Sequence, residues 1–301
     1  MESYVAPVRS VPMMRQVRGY VALTKPRIIE LLLIATVPAM VVAKGGLPSI
    51  PKIVLTVVGG TLAAGGANAV NMWFDRDIDA MMKRTQGRPL VTGDVTPQAA
   101  LIFAVALEVV AFAILDLGDN LLSAVLALSA AAFYIFIYTI WLKRSTSQNI
   151  VIGGAAGAVP VLVGWAAVQD HVSAAAILMF AIIFLWTPPH FWALAYRYRD
   201  DYSSANVPML PSVATLRHTA QQIIVYTVVL VVATLALGPI AHLGLVYDGA
   251  ASLLGIVFLW YGVRLYRTQS PKVAMRVFSY SITYLTLLFV FMGVDVLVRH
   301  G

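Results

Sequence analysis

The chain has 301 residues, of which 60% are hydrophobic and 12% are charged, and its mean hydropathy is +0.82. A soluble domain carries about twice that fraction of charged residues, so this composition excludes one. The absence of cysteine excludes disulfides, thiolate metal sites and iron–sulfur clusters. The net charge of +7 is confined to a few loops, which is typical of membrane topology, and we expect no nucleic-acid partner.

Apolar runs, each near the roughly 20 residues that a helix needs to cross a bilayer, recur along the whole sequence. They predict an all-α fold, a polytopic membrane protein with about nine transmembrane helices in a single domain. A basic segment, residues 1–27, precedes the first helix, and we interpret it as cytoplasmic and not as a cleaved signal peptide because many more spans follow. In chain order the predicted helices are Ile28–Ala43, Ile53–Phe74, Pro97–Asp116, Leu121–Leu142, Asn149–Val168, Val172–Tyr196, Thr219–Leu237, Gly249–Leu265 and Val277–Leu297.

The charges of the loops predict the orientation. One set of alternate loops, with the N-terminal segment, holds 18 of the 21 Lys and Arg residues, and the opposite set holds only Lys44, Lys52 and Arg299. Because cytoplasmic loops are enriched in Lys and Arg, we expect a cytoplasmic N-terminus and an outside C-terminus in the cell (inner) membrane.

The second predicted helix ends in residues suited to a metal site. Four polar residues share one face if the helix continues into the loop: Asn68, Asn71, Asp75 and Asp79. Amide and carboxylate oxygens are hard ligands of the kind Mg²⁺ prefers. The alternative is a solvated helix end, but Asn68 and Asn71 lie inside an apolar span, where polar groups are costly.

The sixth predicted helix ends in a similar way, with His190, Arg197 and Asp201 on one face. It lies four helices after the second and runs in the same direction, so we expect the two acidic ends to meet at the cytoplasmic face. His190 follows Pro188 and Pro189 inside the span. An ordinary core histidine is the alternative, but its position on this face favours a functional role.

Basic residues surround the acids, and carboxylates with Lys and Arg at one face suit a polyphosphate. The enrichment of cytoplasmic loops in basic residues is the alternative explanation for each of them. Glu108, near the middle of the third helix, has no obvious partner and is left unassigned. The predicted diphosphate-binding residues are Asn68, Lys83, Arg84, Arg88, Lys143, Arg144 and Arg197.

Five motifs stand out along the chain: Leu23-Thr-Lys-Pro-Arg-Ile, Asn71-x3-Asp75-x3-Asp79 with Lys83-Arg84-Thr-Gln-Gly-Arg88, Leu142–Ala158, Thr187-Pro-Pro-His-Phe-Trp, and Asp200-Asp-Tyr with Val207-Pro-Met-Leu-Pro. These motifs resemble those of UbiA-type prenyltransferases and, within them, the protoheme IX farnesyltransferases (haem O synthases). They cover the chain from the first helix to the loop after the sixth, whereas the last three helices match only in hydropathy. The family carries a second Asp-x3-Asp after the sixth helix, but Arg197 stands four residues before Asp201, which leaves the number of Mg²⁺ ions open.

This resemblance implies a Mg²⁺-dependent enzyme that transfers the farnesyl group of farnesyl diphosphate to a vinyl group of haem B, with addition of water, giving haem O and diphosphate. It implies His190 as a haem contact, and membrane lipid and a haem A-forming enzyme or oxidase assembly factor as further partners. The alternatives are prenylation of another aromatic acceptor, or a haem or cation transporter, which should place several ionisable residues at the midplane. The implied catalytic and metal–diphosphate residues are Asn71, Asp75, Asp79 and Asp201.

Overall fold

The structure is a computed structural model that describes residues 12–300, apart from the side chains of residues 27, 28, 30–32 and 300. The first 11 residues of the predicted basic segment therefore lie outside the described residues. The described residues form helices and connecting loops without a strand. The helices are α1 Met13–Leu23, α2 Pro26–Lys44, α3 Ile50–Met81, α4 Pro89–Thr92, α5 Pro97–Gly118, α6 Leu121–Ser145, α7 Asn149–Gln169, α8 Ala174–Arg197, α9 Arg199–Ser204, α10 Leu210–Val213, α11 Leu216–Ile240, α12 Leu245–Thr268 and α13 Pro271–His300.

Eight of the described helices are long and apolar enough to cross a membrane: α3, α5, α6, α7, α8, α11, α12 and α13. The helix α2 adds a shorter apolar stretch, Leu33–Lys44. Together they correspond one to one to the nine predicted spans, so the predicted all-α polytopic membrane fold is confirmed. The orientation of the helices in the membrane stays a prediction.

Neighbouring membrane helices pack in a closed bundle. In the series α2, α3, α5, α6, α7, α8, α11, α12 and α13, each helix contacts the next one, and α13 also contacts α2. The largest core cluster lies among α2, α7, α8 and the last three helices. This packing brings the C-terminal ends of α3 and α6 to the same end of the bundle as the N-terminus of α2.

The helix α3 is longer than the predicted span, which ended at Phe74. It continues to Met81, so Asp75 and Asp79 lie on the helix itself. The extra turns are covered on one side, since Ile78 is buried in a small cluster with Met82, Tyr202, Val207 and Met209. Apolar contacts with the segment after α8 therefore keep the end of α3 helical beyond the apolar run.

Candidate active site

The end of α3 presents a buried polar face. The predicted residues Asn68, Asn71, Asp75 and Asp79 are at most 6% exposed. The amide nitrogen Nδ2 of Asn71 donates to Oδ2 of Asp75 at 2.8 Å. Because buried carboxylates are stable only when they are paired, this face requires positive charge from the surrounding elements.

Three predicted basic residues supply that charge. Nζ of Lys143, at the end of α6, donates to Oδ2 of Asp75. Nη1 of Arg88, in the loop after α3, donates to Oδ2 of Asp79 at 2.6 Å. Arg144 lies 3.5 Å from Oδ1 of Asp75 and holds both oxygens of the exposed Asp77 at 2.7 Å. The structure thus brings three acids at the end of α3 together with three cations from other segments.

Lys25 is a site residue that the sequence analysis missed. Its Nζ donates to Oδ1 of Asn71 at 2.7 Å. The residue precedes Pro26 and has φ 53°, in the left-handed region that non-glycine residues seldom adopt. Burial lowers the pKa of Lys25 well below its ordinary value, and the charges of Arg88 and Lys143 lower it further. Two features of the sequence could have indicated a role for Lys25: it directly precedes the first apolar run, and it belongs to a motif shared with a known family.

A π-helical segment of α6, Phe133–Leu142, forms the next wall. The hydroxyl of Thr139 accepts from Nδ2 of Asn71 at 3.0 Å and donates to the Tyr134 carbonyl at 2.9 Å. The Tyr134 hydroxyl donates to Oδ1 of Asn68 at 3.5 Å. Tyr134 also stacks on Tyr138, with ring centroids 5.3 Å apart. The wider turn of a π-helix often occurs at functional sites, and here it aims a hydroxyl and two aromatic rings at the acidic face.

The segment after α8 packs against the end of α3. The Tyr202 hydroxyl accepts from Nη2 of Arg84 at 3.5 Å, and its ring packs in the same cluster as Ile78. Asp201 is half-buried beside Tyr202. Among the described contacts none joins Asp201 to Asp75 or Asp79, and the roles of the exposed Lys83 and Arg197 also stay predictions.

The donor set fits a metal that is shared with phosphate oxygens. Oδ1 of Asp79 and Oδ1 of Asn149 are buried without a hydrogen-bond partner in the part of the chain that the structure describes. No cluster of three or more His, Asp or Glu side chains that could hold a metal occurs there. Mg²⁺ uses one or two carboxylates and takes further oxygens from water or phosphate. Asp75 and Asp79, one helical turn apart, meet that requirement, whereas an all-protein cage does not form.

His190 lies on α8 in an aromatic box. Its ring stacks on Trp186 and Phe278, with centroids 4.3 and 4.6 Å away, and contacts Phe191 edge-on at 5.1 Å. Its Nδ1 lies 2.7 Å from Oγ of Ser281 on α13. The predicted haem contact is therefore held between α8 and α13, and Phe191 joins it to the apolar cluster under the end of α3.

Comparison with known proteins assigns the family. The model of the UbiA prenyltransferase family matches residues 32–291. The chain belongs to the UbiA prenyltransferase family. The UbiA resemblance inferred from the motifs is thereby confirmed, together with the enzyme class, prenyltransferase.

Curated relatives of this UbiA-family chain match over almost its full length. The protoheme IX farnesyltransferase of Kineococcus radiotolerans is 50% identical, over 96% of this chain and 91% of the relative. The protoheme IX farnesyltransferase of Frankia casuarinae is 51% identical, over 95% of this chain and 100% of the relative. The match includes the last three helices, for which the motifs gave no indication.

Solved structures support the UbiA fold. A structure of digeranylgeranylglyceryl phosphate synthase superposes with a TM-score of 0.76 at 16% identity, covering 93% of this chain and 98% of the other. A UbiA homologue from Archaeoglobus fulgidus bound to GPP and Mg²⁺ superposes with a TM-score of 0.67 at 16% identity, covering 93% and 99%. At these identities the likeness establishes the shared fold.

Proposed function

We propose that this protein transfers the farnesyl group of farnesyl diphosphate to a vinyl group of haem B, with addition of water, and releases haem O and diphosphate. The observation that carries the proposal is the buried, cation-paired acidic face of α3 in a UbiA-family chain that is half-identical to proteins named protoheme IX farnesyltransferase. Acids, amides and basic side chains at the end of a membrane helix suit a substrate with a charged head and an isoprenoid tail.

The diphosphate is bound at the end of α3. Asp75, Asp79 and Asn71 would hold Mg²⁺, with Asp201 as a further predicted ligand. When bound, Mg²⁺ supplies positive charge to the diphosphate oxygens. Lys143 and its basic neighbours donate to the remaining oxygens, so the negative charge that develops on the leaving group is stabilised. The remaining predicted contacts are Asn68, Lys83, Arg84, Arg88, Arg144 and Arg197, and the structure adds Lys25.

Loss of the diphosphate produces an allylic cation, which must be kept from water until the acceptor reacts. The C–O bond breaks and its electron pair leaves with the diphosphate. The stacked rings of Tyr134 and Tyr138 beside the acids suit stabilisation of that cation through their π faces. The vinyl π electrons of haem B then form the new C–C bond. Water adds to the resulting cation next to the porphyrin ring and gives up a proton, which completes the hydroxyethylfarnesyl group.

The position of the proposed active site relative to the membrane follows from the apolar tail of the substrate and from the charges of the loops. The farnesyl tail requires an apolar environment, which the helices and the surrounding lipid provide. We place the active site at the cytoplasmic face of the cell membrane, because the basic loops lie at the end of the bundle that holds Asp75. A haem A-forming enzyme or an oxidase assembly factor remains the predicted protein partner, since such a protein would receive the product.

Product analysis by mass tests the proposal. The purified protein in lipid nanodiscs is incubated with haem B, farnesyl diphosphate and MgCl₂, and we expect a haem product heavier by one farnesyl group and one hydroxyl group. Omission of Mg²⁺ with added EDTA, or the variant Asp75→Ala, should abolish the product while the protein stays folded. If the protein leaves haem B unchanged but prenylates a quinone precursor, the proposal is wrong and the alternative, prenylation of another aromatic acceptor, is correct.

A further inference from the structure

The hydrogen bonds around Ser281 determine which nitrogen of His190 carries the proton. Oγ of Ser281 lies 2.6 Å from the carbonyl oxygen of Phe278, which can only accept, so the single hydroxyl hydrogen is used there. The hydroxyl oxygen must therefore accept from Nδ1 of His190, 2.7 Å away. Nδ1 carries the hydrogen, and Nε2 of the neutral ring carries the lone pair.

The rest of the box fixes this arrangement in space. Nε1 of Trp186 donates to the main-chain carbonyl of Ser281 at 2.7 Å, so one residue of α13 is held by two residues of α8. Trp186 and Phe278 cover the two faces of the His190 ring. Only an edge of the ring remains available for a ligand. Among the described residues, Nε2 has no hydrogen-bond partner.

We propose that Nε2 of His190 binds the iron of the porphyrin substrate, and that Ser281 is the positioning residue that fixes the ligating tautomer. This inference rests on the proposed function, which makes an iron porphyrin the acceptor. A ligating histidine commonly donates its other N–H to a fixed oxygen, and the bond to Ser281 has that form.

The geometry of the box suits axial ligation. An axial imidazole stands with its plane perpendicular to the porphyrin, which requires a free edge and not a free face. The edge contact of Phe191 places His190 beside the cluster that contains Ile78 and Met82, under the acidic end of α3. Iron held at this position brings the porphyrin rim towards the diphosphate site.

Haem binding without farnesyl diphosphate tests the inference, so that no turnover is needed. Wild-type protein reconstituted with ferrous haem B should show the Fe–imidazole stretching band in resonance Raman spectra. The variant His190→Ala should lose the band, and added imidazole should restore it. The variant Ser281→Ala should shift the band and weaken haem affinity about 10-fold to 100-fold, the usual effect of removing a partner of a metal ligand. Ser281→Thr, which keeps a hydroxyl, should retain the wild-type band position and the wild-type haem affinity.

A matched control removes a buried hydroxyl elsewhere. Thr227, fully buried on α11, donates to the Ile223 carbonyl at 2.7 Å, and Thr227→Val should leave the band and the affinity unchanged. An unchanged Fe–imidazole band in His190→Ala overturns the inference. If that variant does not fold, an unchanged band and affinity in Ser281→Ala overturn it equally. A wild-type protein that shows the band but forms no haem O contradicts the proposed function alone.

Discussion

The substitution Asp75→Asn should reduce haem O formation about a thousandfold. Asp75 is fully buried, accepts from Lys143 and Asn71, and lies 3.5 Å from Arg144. Asparagine keeps the volume and one acceptor oxygen but removes the negative charge. Two unit charges about 4 Å apart interact by about 4 kcal/mol at an effective dielectric constant of about 20. If that interaction is lost at the metal–diphosphate site, the rate falls by about three powers of ten.

The neighbouring Asp77 provides the matched control for this prediction. Both acids pair with Arg144, but the Asp77 side chain is 60% exposed and lies on the other face of α3. Exposed ion pairs contribute about 0.2–1 kcal/mol, so Asp77→Asn should reduce kcat/KM for farnesyl diphosphate less than about fivefold. Both variants are assayed by mass after size-exclusion chromatography confirms folding. Equal losses in the two variants, or full activity in Asp75→Asn, would refute the assignment of the acidic face.

Three further predictions concern packing and charge. In Gly153→Ala the new Cβ would overlap Cδ2 of Tyr138, so we expect the free energy of unfolding to fall by about 1–3 kcal/mol, with a lower thermal midpoint. Gly157→Ala, whose new Cβ would have no atom within 4 Å, should be neutral. Glu108→Gln should keep full activity in the haem O assay, because the acid lies outside the site. Burial raises the pKa of Asp119 above its ordinary value of 3.8. Between pH 3.8 and the higher folded-state pKa, the folded protein therefore binds one more proton at Asp119 than the unfolded chain does. Stability consequently falls as the pH rises through that window. Asp119→Asn should remove this fall, as measured by thermal melts across the same pH range.

The sequence was sufficient for the parts of the fold that the membrane dictates. A bilayer requires about 20 apolar residues for each helix, so nine spans could be counted directly. The helical period also placed Asn71, Asp75 and Asp79 on one face. The end of α3 was less predictable, because its last turns are kept helical by Tyr202 and its neighbours, more than a hundred residues later in the chain.

The parts that depend on backbone exceptions could not be predicted. The segment Phe133–Leu142 has the same apolar character in an α-helix as in the π-helix that it forms, so nothing local indicated that Thr139 would face Asn71. The sequence also does not predict the left-handed backbone conformation of Lys25. Loop charge also does not separate Lys143, which reaches Asp75, from Lys83, which remains exposed.

The ion pairs of the site predict that Mg²⁺ and diphosphate bind together and not independently. Lys143 is paired with Asp75 and Arg88 with Asp79, so Mg²⁺ alone must displace two cations, and diphosphate alone must attract cations that are already neutralised. When both bind, acids and cations exchange partners and no charge is left unpaired. We expect calorimetry to show Mg²⁺ affinity raised about 5-fold to 150-fold by inorganic pyrophosphate, the usual range for coupled sites, with the reciprocal effect on pyrophosphate. Lys143→Gln should strengthen binding of Mg²⁺ alone and weaken that of pyrophosphate, whereas Lys52→Gln, at the opposite end of the bundle, should change neither. Equal Mg²⁺ affinity with and without pyrophosphate would contradict this exchange.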